Sequence, residues 1–458
     1  MYDLVVIGSG PGGYEAAAHA AHLGKSVALV EKNRTGGTCL NVGCIPTKTV
    51  LKSSRVYSEC RKAAAYGVRT GDVSFDMRTV IERKNRIVTT LTRGVDSMLK
   101  RAGVEVIQGH GRVVSREAVH VDGRKLETRN ILIATGSKPA KPPIAGIDGP
   151  NVFDSTGILD REEIPHELVI IGGGYIGLEF ASFYSPVGAK VTVLEMLPEV
   201  AGATDRDIAR RLSSELQKAG VVIKTSCRVT AVESDGVQYT DSTGNAHTVP
   251  ADAVLNATGR SPVLNDLGLS EVGVDYSPRG IRTSNEGRTN IPGIWACGDV
   301  TGRRLLAHAA TREGIVAVNN MFGKRDRLRY HTIPSVIYTH PEVASVGYTE
   351  EELQTQKVEY RKASVPMAIA GRFLVENEGA SGIVKVLVGA RYGEILGVHI
   401  AGDGASEFIV AAAAMMETEM CASDIEEIVF PHPTVSEALK AAIQAAGAQA
   451  GIHAAAAQ

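Results

Sequence analysis

Cysteine is scarce in this chain. Six in 458 residues are too few for the disulfide framework of a secreted protein. A reducing compartment is therefore expected, where a disulfide is more often catalytic or regulatory than structural. No block of one charge is present: 49 Lys and Arg stand against 51 Asp and Glu, a net charge of −2, and no basic stretch offers a footprint for nucleic acid. Long hydrophobic runs are missing as well. The longest, FIVAAAAMM at 408–416, is far short of the ~20 apolar residues that cross a bilayer. The chain opens on an apolar strand, MYDLVVIGSG, which leaves no room for a signal or transit peptide. A soluble cytoplasmic protein of three or four domains is expected.

What is present is a repeat. DLVVIGSGPGGYEAAAHAAHLGKSVALVEK (3–32) and ELVIIGGGYIGLEFASFYSPVGAKVTVLEM (167–196) share one plan. An apolar strand runs into G-x-G-x-x-G, then a helix of small residues, then a second strand that closes on Glu31 or Glu195. That context predicts a dinucleotide-binding βαβ unit rather than a glycine-rich turn without a ligand. Gly8 and Gly172 suit the tight turn, Gly10 and Gly174 the approach of a pyrophosphate, and Gly13 and Gly177 close helix–strand packing. The helix N-terminus would take the phosphates and the glutamate the ribose hydroxyls. The repeat continues in ILIATGSKP (131–139) and AVLNATGRSP (253–262). Each is read as the last strand of its half, with Thr135, Gly136 and Gly259 turning close to the ligand.

The first copy also carries GGTCLNVGCIPTK (36–48), with Cys39 and Cys44 five positions apart and Lys48 four further on. Zinc sites space cysteines more closely and need two more ligands; the nearest other cysteine is Cys60, so no metal is expected. On an ideal helix the two Cα atoms would stand roughly 8–9 Å apart, beyond the ~7 Å that a disulfide tolerates. A bridge needs an irregular turn, which Gly43 and Pro46 suit. A redox-active couple is the reading, against two buried free thiols. Two dinucleotides and a thiol pair imply an electron relay, and a flavin can exchange electrons with both partners, so FAD in one site and a nicotinamide in the other are expected. Glu195 would repel a 2′-phosphate, and 196–205 carries no Lys or Arg, which favours NAD.

GGTCLNVGCIPTK, GGGYIGLE (172–179), IWACGDV (294–300), THPEVASVGYTE (339–350) and PHPTVSE (431–437) together resemble the FAD-dependent pyridine nucleotide–disulfide oxidoreductases, and most of all their dihydrolipoamide-oxidising branch. The resemblance runs essentially end to end. It implies that Cys39 exchanges with the substrate disulfide, that Cys44 faces the flavin, and that Lys48 and Glu179 pair beside the flavin's reactive nitrogen. It makes Tyr175 an aromatic gate over the flavin and Asp299 a ligand of the FAD ribityl chain. His432, held by Glu437, becomes the acid–base group, reaching the site from the other subunit. Phe430 stands where many family members have a histidine.

The fold class implied is α/β, with two Rossmann-like domains and a C-terminal α+β dimerisation domain. The expected boundaries are an FAD-binding domain at 1–147, an NAD-binding domain at 148–264, a central segment completing the FAD site at 265–334, and the dimerisation domain at 335–458. VASVGYTE, GIVKVLVG and EILGVHIAG read as antiparallel strands, with SEFIVAAAAMMETEM as a helix packed on them. The alanine-rich tail from 446 has no assigned role. The resemblance implies oxidation of dihydrolipoamide with NAD+ by a homodimer. The implied partner is a lipoyl-bearing domain of a 2-oxoacid dehydrogenase complex or a glycine-cleavage carrier protein. Reduction of another disulfide, and a flavin-containing redox sensor, are the alternatives.

Overall fold

The computed structural model of the chain describes residues 1–454. Its two repeats build two five-stranded parallel sheets with one strand order. The first runs Ile294–Ala296, Ile131–Ile133, Leu4–Ile7, Val27–Glu31, Glu105–Gln108. The second runs Val152–Phe153, Ala253–Asn256, Glu167–Ile171, Lys190–Leu194, Val222–Lys224. The central strand LVVI is buried along its whole length, as is LVII in the second sheet. Each sheet has helices on one face and a three-stranded antiparallel sheet on the other, 111–127 on the first and 228–250 on the second. Strands buried on both faces read as continuous apolar runs.

One expectation needs correcting. Ala253–Asn256 is the last strand of its half in chain order, but Ile131–Ile133 is not. The edge strand beyond it is Ile294–Ala296, delivered after the chain has completed the whole second sheet. The apolar run before Gly298 and Asp299 reads as a strand, but a parallel neighbour can come from any distance along the chain, and nothing in the run names the sheet it joins.

The insertion in the first copy forms two helices, Cys44–Lys62 and Met77–Arg101. The second starts at Asp76, whose carboxylate accepts from Arg78 N at 3.1 Å and Thr79 N at 3.3 Å, a conventional N-cap. The C-terminal region is an antiparallel sheet ordered Ser335–Ile337, Val343–Gly347, Ile395–Ala401, Ile383–Gly389, Tyr360–Pro366. Ile409 and Ala412 of helix Ala405–Glu417, and Leu439 and Ile443 of helix Glu437–Ala454, bury against Val384, Val386 and Val398 of that sheet. The last four residues of the alanine-rich tail lie outside the described residues.

Candidate active site

Both fingerprint loops are shaped for a ligand. Gly8 and Gly172 adopt φ of +99° and +106°, and a Cβ there would stand 2.4 and 2.5 Å from the carbonyl oxygens of Ala134 and Ala257. A Cβ at Gly13 or Gly177 would lie 1.9 or 2.0 Å from the Gly8 or Gly172 oxygen, so helix and strand meet there at backbone contact. Gly10 and Gly174, by contrast, face space with nothing within 4 Å of a Cβ. These residues cap the helices Pro11–His22 and Tyr175–Tyr184, whose free N–H groups and dipoles suit pyrophosphate.

The two glutamates are held alike. Glu31 Oε2 accepts from Ser9 N at 2.9 Å and Ser9 Oγ at 2.6 Å, and Oε1 from Asn33 N at 2.8 Å. Glu195 Oε2 accepts from Gly173 N at 2.6 Å and Oε1 from Leu197 N at 2.7 Å. Each carboxylate is thus fixed beside its loop by main-chain donors and keeps lone pairs for ribose hydroxyls. The residues present fit FAD and NAD+.

The thiols sit on a break between helices. Gly37–Val42 ends and Cys44–Lys62 begins at Gly43, with φ −132° and ψ −107°. This is the irregular turn the spacing requires. Cys39 and Cys44 are both half-buried free thiols, not a bridge, and each lies close enough to shift the other's titration. Their interaction pulls the Cys44 pKa down and pushes that of Cys39 up; burial opposes the first shift and adds to the second. Lys48, one turn further on, also favours the Cys44 thiolate, and Glu179 opposes it. Cys44 is moreover the first residue of its helix, where the dipole favours an anion.

Lys48 Nζ lies 2.9 and 2.8 Å from the two oxygens of Glu179, a residue of the second repeat. Tyr338 N also donates to Glu179 Oε1, at 3.0 Å, while the Tyr338 ring lies 4.5 Å from the ammonium. Three parts of the chain therefore converge on one ion pair. Its acid is 7% exposed and its base 32%, so the pair is sheltered yet reachable. Tyr175, the first residue of its helix, is half-buried.

At the end of the returning strand, Asp299 accepts from Ser137 Oγ, and burial pushes its carboxyl up against that bond and the nearby Arg260 charge. Thr135 Oγ1 donates to Val263 O at 2.9 Å. Sequence reasoning missed several residues here. Arg260 donates to Ser137 Oγ at 2.7 Å and stands 4.0 Å from Asp299; its place directly after Ala-Thr-Gly was the available signal. Buried Glu313 accepts from Gly298 N at 2.6 Å and Tyr330 Oη at 2.9 Å, and no local pattern marks it.

His432 stands apart. Its Nδ1 is 2.9 Å from Glu437 Oε1, Thr434 N donates to Glu437 Oε2 at 3.0 Å, and the imidazole is 77% exposed. Those bonds hold Glu437 below the usual carboxylate range. Phe430 packs on the C-terminal core beneath Lys440.

A family model of the pyridine nucleotide-disulphide oxidoreductases matches residues 2–314, and that of their dimerisation domain matches 333–443. The chain belongs to the pyridine nucleotide-disulphide oxidoreductases. It is 41% identical over 454 residues to dihydrolipoyl dehydrogenase 3 of Pseudomonas aeruginosa, covering 96% of this chain and 97% of that one. To the mitochondrial dihydrolipoyl dehydrogenase of Pisum sativum it is 39% identical over 457 residues, with 97% and 91% covered. Among solved structures it is similar to the HOCl-induced flavoprotein disulfide reductase RclA from Escherichia coli, with a TM-score of 0.85, 29% identity and coverage of 97% and 99%.

Proposed function

We propose that this chain is a dihydrolipoyl dehydrogenase: dihydrolipoamide and NAD+ give lipoamide, NADH and a proton. The observation that carries this reading is the thiol segment abutting the first fingerprint loop, where a Gly37 Cβ would stand 2.5 Å from Gly10 Cα, with Lys48 paired to Glu179 on the helix that Gly174 caps. Gly8, Gly10, Gly13, Glu31, Thr135, Gly136 and Asp299 would hold FAD; Gly172, Gly174, Tyr175, Gly177, Glu195 and Gly259 would hold NAD+. The bound flavin supplies two-electron transfer between the thiol couple and the nicotinamide.

The protein's own groups do the rest. A substrate thiolate attacks the Cys39 sulfur of the oxidised couple, the Cys39–Cys44 bond breaks, and Cys44 leaves as a thiolate stabilised by Lys48. The second substrate thiol displaces Cys39 and closes the lipoamide disulfide. His432, oriented by Glu437, takes the substrate proton and returns one to Cys39. The exposure of His432 in one chain supports the reading that it serves the other subunit of a dimer. The domain boundaries proposed are 1–147, 148–264, 265–334 and 335–458. Return of the Ile294–Ala296 strand to the first sheet favours a central segment after 264. A lipoyl-bearing domain as partner and a cytoplasmic location complete the proposal; no described helix is long and apolar enough to cross a membrane.

The likeness to RclA favours a second reading, reduction of another disulfide with the same thiols. A paired assay separates them: dihydrolipoamide with NAD+ against glutathione disulfide with NADPH. Turnover in the first alone supports the proposal, and turnover in the second alone refutes it.

A further inference from the structure

The second dinucleotide sheet and the C-terminal sheet are joined by a buried charge cluster outside the thiol site. Lys385, on strand Ile383–Gly389, is 1% exposed, and its ammonium lies 2.9 Å from Asp205, 2.7 Å from Asp207 and 2.6 Å from Glu350. Asp205 is fully buried. One of its oxygens accepts from Asp207 N at 3.2 Å, capping helix Arg206–Lys218; the other accepts from Glu350 N at 3.2 Å, the first residue of helix Glu350–Gln356. The Asp205 carboxylate thus takes an N–H from the first turn of each of two helices in different domains, the second of them capped by Thr349. It pairs with Lys385, while Glu350 also pairs with Lys362 at 2.7 Å.

Replacing such a network wholesale by apolar residues is often no loss in stability, so its presence asks for a geometric reason. Asp205 is the far end of the segment that begins at Glu195. Midway, Ala201 sits in the left-handed region at φ +65° and donates its N–H to Gly173 O at 2.8 Å. Val200 fills the space beside Gly173, with Cγ1 2.9 Å from where a Cβ would stand. The 195–205 segment therefore crosses the second fingerprint loop. Glu195 ties it to Gly173 N at the near end, and Lys385 ties it through Asp205 at the far end.

We infer that Lys385 is a positioning residue for NAD+: by fixing Asp205 it sets the 195–205 segment, and with it the Gly173 loop and the Glu195 carboxylate that receive the dinucleotide. This rests on the reading of the second site as the NAD+ site. Lys385 touches neither dinucleotide cradle nor thiols, so its effect falls on nicotinamide binding alone.

The test is calorimetric titration of the FAD-loaded dimer with NADH, alongside the KM for NAD+ and the anaerobic reduction of the protein by dihydrolipoamide. Lys385→Met is expected to weaken NADH binding and raise the KM about tenfold, with dihydrolipoamide reduction unchanged. Lys385→Arg should restore most of the affinity, since it keeps the charge. Should Lys385→Met fail to fold, Lys385→Gln decides, because its amide can still donate to Asp205 while the charge is gone; about threefold weaker NADH binding is expected there. Affinity equal to wild type in the folded variants would overturn the inference. Absence of NADH binding in the wild type would instead overturn the NAD+ reading itself.

Discussion

The two dinucleotide halves use the same strand order and clasp their glutamates with equivalent main-chain donors, yet only one carries a thiol pair. The difference lies between the strands. From Glu31 to Glu105 the first half inserts the thiol turn and the helices Cys44–Lys62 and Met77–Arg101. From Glu195 to Val222 the second inserts one helix, Arg206–Lys218. The edge strands differ too: Val152–Phe153 precedes its own fingerprint, whereas Ile294–Ala296 returns from beyond the other half and brings Asp299 with it. A glycine loop defines a phosphate cradle; the crossover that follows decides what is done beside it. The halves are then sewn together by single side chains, with Glu179 of the second facing Lys48 of the first.

Separating the halves functionally should begin with Cys44→Ser. It removes what only the first half possesses, so dihydrolipoamide turnover should fall to background while FAD and NADH still bind. Substantial residual turnover would sink the thiol relay. Next in size is Glu179→Gln, which leaves both cradles intact and loosens the joint between them. Loss of an oriented charge beside the reacting groups should cost about 10²-fold in kcat, with KM for NAD+ little changed; a pure KM effect would place Glu179 in binding instead.

A smaller and more symmetrical test exchanges the third glycines. Gly13→Ala and Gly177→Ala each force a methyl against a carbonyl oxygen at 1.9 and 2.0 Å, an overpacking that costs about 1–3 kcal/mol. Gly13→Ala should lower FAD content, measured by absorbance of the purified protein. Gly177→Ala should leave FAD bound and weaken NADH in a fluorescence titration. Identical behaviour of the two variants would mean that the cradles are not independent.

The subtlest expectation concerns protons. The folded protein lowers the Cys44 pKa and raises that of Cys39. As pH rises, the reduced protein should form one thiolate below the ordinary thiol range and the second only above it, followed by thiolate absorbance in the ultraviolet. Lys48→Met should move the first step upward, because the ammonium favours that thiolate. Two protons leaving together near the ordinary value would exclude this interaction between the thiols.

Much of this was readable along the chain because it is local. A glycine forced to positive φ, a strand buried on both faces, an acid at the strand's end and a turn between two cysteines all express themselves within about thirty residues. The paired fingerprints and the thiols are of this kind; His432 and Glu437 were legible only through the family resemblance, since a lone histidine between prolines reads by itself as a turn residue. Arg260 was adjacent to a recognised motif and still passed over, since an arginine after Gly says nothing about the Ser137 oxygen it will meet.

Other features have no local expression. Lys48 meets Glu179 across 131 positions, a pair that only the family resemblance implied, and Lys385 meets Asp205 across 180, a pair that nothing in the sequence suggested. The strand that closes the first sheet arrives from residue 294. No periodicity or propensity encodes a partner at such separation, because a buried ion pair is selected by what two packed surfaces leave unneutralised, not by its own neighbours in the chain. The sequence alone therefore announced two cradles and a thiol couple; packing three sheets together decided that Glu179 meets Lys48 beside the thiols and that Lys385 is buried against Asp205.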